Sequence, residues 1–139
     1  MLTAVDTCVI SEIWSGQSLC REALAALRSA RTRGEVVICG IVFAELIAHP
    51  AISPEAAMEF FDEARIRVDA EMPLEVWKEA GLRNRRYQGR RRKAGSREAK
   101  RPLADFFIGA HALLRADSLL TLNVDDFRRD FPELVIARV

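Results

Sequence analysis

The chain has 139 residues, half of them apolar and 29% charged, the balance of a single globular domain long enough to bury a core. Twenty-one basic side chains against twenty acidic ones leave a formal charge of +1, so bulk charge points to no class of partner. No apolar run approaches the roughly 20 residues of a membrane span. Cys8, Cys20 and Cys39 are odd in number and lack metal spacing, and the N-terminus carries Asp6 without a basic lead-in, so a cytoplasmic protein with reduced thiols is expected.

In chain order, Leu2 to Val5 reads as a short strand with Asp6-Thr7 at its end. Val9 to Trp14 is expected to form a short helix, broken at Ser15-Gly16. Ser18 is placed to cap a helix running to about Thr32, where Gly34 ends it. Val36 to Cys39 reads as a second buried strand, followed by a short helix Ile41 to Ala48 that stops at His49-Pro50. Ser53-Pro54-Glu55 combines a capping residue, a proline at the first helical position and an early acid, and opens a helix to about Ala64. Arg65 to Val68 reads as the third strand, and Pro73 to about Arg92 as a long helix.

The helix that follows is apolar on nearly every side: Phe106, Phe107, Ile108, Ala110, Ala112, Leu113, Leu114. Helices of that kind lie in the middle of a domain. Asp105 nevertheless sits in its first turn. After a turn at Arg115-Ala116-Asp117, Ser118 to Thr121 reads as a fourth strand ending in Asn123-Val124-Asp125-Asp126-Phe127, and Leu134 to Ala137 as a final strand. Strands alternating with helices predict an α/β fold, a three-layer sandwich with a mostly parallel central sheet of four to five strands, in one domain spanning 1–139.

In such sheets functional groups gather beyond the C-terminal strand ends, where the strand order switches. That topology brings Asp6, Glu45 and Asp126 to one edge, and the segment from Gly89 to Arg101 is long enough to deliver Asp105 there. Each acid alone has an ordinary role: Asp6 as a helix cap, Asp105 as a complement to the helix dipole, Asp126 as a solvated turn. Glu45 resists that treatment, because within Ile41 to Ile47 a buried carboxylate would be costly without a partner. Four carboxylates on one edge repel one another, and a divalent cation turns the repulsion into binding. Hard oxygen donors suit Mg²⁺ or Mn²⁺, which polarise a phosphate and lower the pKa of a bound water. His49 and His111 are expected to be packing or surface residues.

Arg83 to Arg101 holds eight arginines and two lysines against one acid, Glu98. An acidic, cation-binding edge repels phosphate, so a phosphate-bearing substrate would need nearby positive charge, and Arg90, Arg91, Arg92 and Lys93 are the expected contacts. Gly89 to Ser96 is expected to be a loop over the site. Tyr87, inside the run, is read as a packing residue in preference to a base-stacking one.

Four segments resemble the PIN-domain ribonucleases, and among them the VapC-type toxins of toxin–antitoxin pairs. Val5-Asp6-Thr7 resembles the family's first acid with its hydroxyl neighbour, and Phe43-Ala44-Glu45-Leu46 its second. Pro102 to Ala112, PLADFFIGAHA, resembles the third acid opening the central helix and is the most specific match. Leu120 to Phe127, LTLNVDDF, resembles the closing segment, except that Asn123 stands where many members carry Asp. Asp126 then becomes the acidic partner and Asn123 a neutral ligand or positioning group, which bears on whether one or two ions bind. The resemblance implies that Asp6, Glu45, Asp105 and Asp126 hold Mg²⁺, with Mn²⁺ as a substitute. Thr7 and Thr121 would orient carboxylates or water. It further implies hydrolysis of RNA phosphodiester bonds, a homodimer, and a cognate antitoxin.

Two other α/β classes fit poorly. A phosphorelay receiver needs paired acids after its first strand and a lysine after its last, and Leu134 to Arg138 offers none. A haloacid-dehalogenase-type phosphatase needs Asp-x-Asp where this chain has Asp6-Thr7-Cys8. A degenerate PIN-like module that binds RNA without cutting it remains the alternative, because of Asn123.

Overall fold

The computed structural model describes residues 1–139, except for the side chain of Arg138. Among the described residues five strands form one parallel sheet: β1 (Leu2–Val5), β2 (Glu35–Cys39), β3 (Ile66–Asp69), β4 (Ser118–Thr121) and β5 (Ile136–Arg138). Seven helices flank it: α1 (Thr7–Ser15), α2 (Cys20–Arg33), α3 (Gly40–Ile47), α4 (Pro54–Ala64), α5 (Leu74–Ala94), α6 (Leu103–Arg115) and α7 (Val124–Asp130). The expected α/β architecture is present, and every strand pair is parallel. Val36 to Cys39 and Ser118 to Thr121 are buried at every position, the signature of strands covered on both faces.

The strand order is β3-β2-β1-β4-β5. The chain winds outward from β1 through β2 to β3, then returns across the sheet to β4 and β5, so the order reverses between β1 and β4. That reversal opens a crevice beyond the C-terminal ends of these two strands. Their register pairs Val5 with Leu120, which brings the residues that follow, Asp6 and Thr121, side by side at its floor.

Helix α6 packs against α5, α3, β1 and β4, which explains why its apolar residues run all round it. Phe106 through Ala112 are buried without a break. Gly109 is needed for a close approach: a Cβ there would lie 2.2 Å from Phe131 Cε2. Ser53 caps α4 as expected, its Oγ accepting from the Ala56 amide at 3.1 Å.

Several boundaries differ from expectation, each for a local reason. Ser18 does not cap α2; Leu19 holds that position, and its amide donates to Glu12 Oε1 at 2.7 Å. Gly89 to Ser96 is not a loop. Helix α5 continues to Ala94 and stops where Gly95 turns left-handed (φ 60°), because arginine, glutamine, lysine and alanine sustain a helix through one half-buried glycine. Helix α7 was not anticipated. At seven residues it is too short to show periodicity, but two acids in its first turn and two arginines in its last complement its dipole. The last strand begins at Ile136, two residues later than expected. Among the described residues no helix is long and apolar enough to cross a membrane.

A buried polar cluster ties α6 to the end of β3. Asp69 accepts from Arg115 Nε at 2.9 Å, from the Glu71 amide at 3.2 Å, and lies 2.9 Å from His111 Nε2. Burial alone would raise Asp69, but the hydrogen bonds from Arg115, His111 and the Glu71 amide prevail and hold it at about 2. An ionised carboxylate can only accept, so His111 donates through Nε2 as the neutral ring. Burial lowers His111 below its ordinary 6.5, and Arg115 has already supplied the charge that Asp69 needs. Both groups bind protons more weakly folded than unfolded, so acid should weaken the fold. The His111 contribution is complete above pH 6.5 and is lost as pH falls below it; the Asp69 contribution, about 2 kcal/mol, is complete above 3.8 and lost towards 2. Urea unfolding at pH 7.5, 5.5 and 3.5 should give falling stability, with the first step reduced in His111→Gln. A flat response between 7.5 and 5.5 would contradict the neutral, buried ring.

Candidate active site at the carboxyl edge of the sheet

The crevice between β1 and β4 collects acids from four separate segments. Asp6 stands at the N-cap of α1 but makes no side-chain cap, which removes its ordinary explanation. Only 3% exposed, it accepts at Oδ2 from the Thr121 hydroxyl at 2.7 Å and the Cys8 thiol at 3.1 Å. Burial, and then the Asp6 charge, push the Cys8 thiol up to about 12, so it remains a protonated donor. Thr121 also accepts the Asn123 amide at 3.0 Å, which fixes its hydroxyl and the turn after β4.

Glu45 comes from α3 and accepts the Thr7 hydroxyl at 2.6 Å. It is exposed, not buried as the apolar sequence around it suggested, because α3 turns Val42 and Leu46 inward and presents Ala44 and Glu45 outward. Asp105 lies in the first turn of α6, where burial is the main influence and raises its pKa to about 6. Arg101 opposes that rise, while Asp6 and Glu45 add to it. The mutual repulsion of Asp6, Glu45 and Asp105 is therefore felt across the crevice.

Asp126 is half exposed in the first turn of α7 and pairs with Arg129 at 3.1 Å. It reaches the crevice through Arg101, whose guanidinium lies 3.2 Å from Asp105 Oδ2 and 3.9 Å from Asp126 Oδ2. Asn123 is exposed at the start of α7.

Sequence reasoning missed the centre of this network. Asp130 ends α7 with a side chain 0% exposed, and it pairs with both Arg90 and Arg101 while Arg129 Nε lies 3.6 Å away. Arg101 itself is sandwiched between the Phe106 and Phe127 rings, its Cζ 5.2 and 5.0 Å from their centroids. Its Nε is buried with no acceptor. The one local signal was the spacing of Arg101 four residues before Asp105, an opposite-charge pair; nothing local marked Asp130.

The basic run divides. Arg83 is buried against Glu79, Glu133 and the Asp130 carbonyl. Arg90 is held by Asp130, and Arg91 donates to the Glu98 carbonyl at 2.7 Å. Arg92 and Lys93 are exposed in the last turn of α5. Tyr87 is buried against Phe106 and accepts the Arg101 amide at 2.8 Å, a packing role.

The PIN domain family model matches residues 3–131, nearly the whole chain. The chain belongs to the PIN-domain family. Solved structures agree on the fold of this PIN domain. VapBC2 from Rickettsia felis, solved bound to a DNA fragment from its promoter, aligns with a TM-score of 0.68 at 18% identity, over 100% of this chain and 99% of that one. VapBC-1 from nontypeable Haemophilus influenzae gives 0.65 at 20%, covering 99% and 98%. FitAcB from Neisseria gonorrhoeae gives 0.63 at 20%, covering 96% and 95%. No curated protein matches the sequence.

The donors of this PIN domain fit a hard divalent cation in kind, since Asp6, Glu45 and Asp105 offer only carboxylate oxygens and repel one another without one. Among the described residues no three Asp, Glu, His or Cys side chains converge closely enough to hold an ion as they stand. One oxygen of each acid is already engaged, by Thr121 and Cys8, by Thr7 and by Arg101.

Proposed function

We propose that this chain is a Mg²⁺-dependent endoribonuclease, active also with Mn²⁺, and the toxin of a toxin–antitoxin pair. The observation that carries the reading is that Asp6, Glu45 and Asp105 stand on the carboxyl side of the strand-order switch, each oriented by a neighbour: Thr121 and Cys8, Thr7, and Arg101. Asp6, Glu45 and Asp105 would hold the ion, with Asp126 at the rim.

The ion would supply Lewis-acid polarisation of a phosphate and of the attacking water. The chain's own groups do the rest. Thr121 and Cys8 fix Asp6, Thr7 fixes Glu45, and Arg101 holds Asp105 ionised and aimed. Water attacks phosphorus and gives up one proton, one phosphorus–oxygen ester bond breaks, and the leaving oxygen takes up a proton in its place, so that one water is consumed. Arg90, Arg91, Arg92 and Lys93 would supply the positive charge that holds phosphate.

The VapBC and FitAcB neighbours support a protein antitoxin as the partner, and the family resemblance a homodimer in the cytoplasm. A second reading, an RNA-binding module without cleavage, draws support from Arg101, which occupies Asp105, and from the unconverged acids. Incubation of the purified chain with a fluorescent single-stranded RNA, with EDTA, Mg²⁺ or Mn²⁺, decides between them. Cleavage only with the metals is expected. Metal-independent cleavage would remove the proposed centre, and binding without cleavage would favour the second reading.

A further inference from the structure

Beside the acidic crevice lies a cavity of about 370 Å³, lined by Arg90, Arg91, Arg101 and Arg129 together with Asp126 and Glu98. Three of these arginines pair with Asp130 or lie within 4 Å of it. We propose that this cavity binds the phosphate next to the scissile one in single-stranded RNA, and that buried Asp130 is the anchor that holds its arginines ready. The substrate class rests on the nuclease reading; the geometry does not.

Each guanidinium carries five N–H donors, and Arg90 and Arg129 use few of them on carboxylates. Both remain about half exposed, at 45% and 51% of the side chain, so each is pinned on its inner side and open on its outer one. An arginine on an open surface loses rotamer freedom when it grips a phosphate, whereas one already held by Asp130 has little left to lose. The four guanidiniums face Asp105, Asp126, Asp130 and Glu98, so it is the outward N–H donors of Arg90 and Arg129, and no surplus of charge, that an anion would meet. The Arg101 guanidinium borders the cavity and touches Asp105 at 3.2 Å, so a phosphate in the cavity sits one guanidinium away from the acids. Arg92 and Lys93 do not line it, so they should matter less than Arg90 and Arg129.

A larger basic cavity provides the control. Arg28, Arg31 and Arg65 line about 610 Å³ at the opposite edge of the sheet, beside the first residue of β2. Binding of a fluorescent 2′-O-methyl oligonucleotide, which cannot be cut through its 2′ oxygen, is measured by anisotropy in EDTA across a salt series. Arg90→Gln and Arg129→Gln should each weaken binding about tenfold and lower the log–log salt slope by roughly 0.7. Arg28→Gln with Arg31→Gln should change neither, and Asp105→Asn should keep or tighten affinity. Equal losses in the Arg28/Arg31 pair, an unchanged slope in Arg129→Gln, or no binding by the parent at low salt would each overturn the subsite. Binding lost in Arg90→Gln and Arg129→Gln by a chain that never cleaves RNA with any metal would uphold the subsite and reject the nuclease.

Discussion

Asp105→Asn is expected to cut RNA at least about a thousandfold more slowly than the parent while binding it as well or better. The carboxylate would contribute to a cation's affinity and to nothing the RNA touches directly, so turnover and affinity should separate. Stability offers a second readout. Burial, and to a lesser degree the charges of Asp6 and Glu45, raise half-buried Asp105 to about 6 against the pull of Arg101, so in metal-free buffer the amide should relieve that cost and lift the melting temperature. Mg²⁺ should then stabilise the parent by mass action and leave the variant nearly unmoved. Parent-rate cleavage by Asp105→Asn, or equal Mg²⁺ stabilisation of both chains, would falsify the assigned centre.

Asp130→Ala is expected to be the most damaging single change for the fold, lowering the unfolding free energy by roughly 3–5 kcal/mol. The carboxylate is wholly buried and pairs with Arg90 and Arg101; its removal leaves Arg101, 9% exposed between two phenylalanine rings, with only the longer contacts to Asp105 at 3.2 Å and Asp126 at 3.9 Å. Against a typical total of roughly 5–15 kcal/mol this could be most of the stability. Asp126→Ala is the matched comparison. That carboxylate is 45% exposed and its pair with Arg129 is solvated, so its loss should cost no more than about 1 kcal/mol. Urea denaturation followed through Trp14 and Trp77 measures both. Similar costs for the two aspartates would mean that burial does not set the difference.

Much of this arrangement was legible before any coordinates. The short segments Val36–Cys39 and Ser118–Thr121, bounded by turns, read as covered strands, and alternation with helices then predicted a mostly parallel sheet. Once the strands are parallel, acids just after them share an edge, and Asp6, Glu45 and Asp126 do. Burial was harder to read. Glu45 sits in an apolar run yet faces solvent, because a helix of eight residues hides only one side. The hardest part was Asp130. Nothing in Arg128-Arg129-Asp130 distinguishes a buried anchor from a solvated charge, since its burial depends on Arg90 and Arg101 arriving from 40 and 29 residues earlier. Pattern along the chain reports which face a residue takes; it does not report which distant cations meet there.

The pairing of β1 with β4 has a consequence for the protein while it is being made. Asp6 depends on a hydroxyl 115 residues further on, and Arg101 has no counter-charge at Asp130 until α7 exists. On the ribosome, therefore, the early acids emerge and wait in a chain without the strand that completes the crevice. A nascent chain that has extruded β1 to α6 carries three of the carboxylates but neither Thr121 nor the anchor. The proposed nuclease activity should accordingly appear only after β4 and α7 have been made, which would spare the message being translated until then.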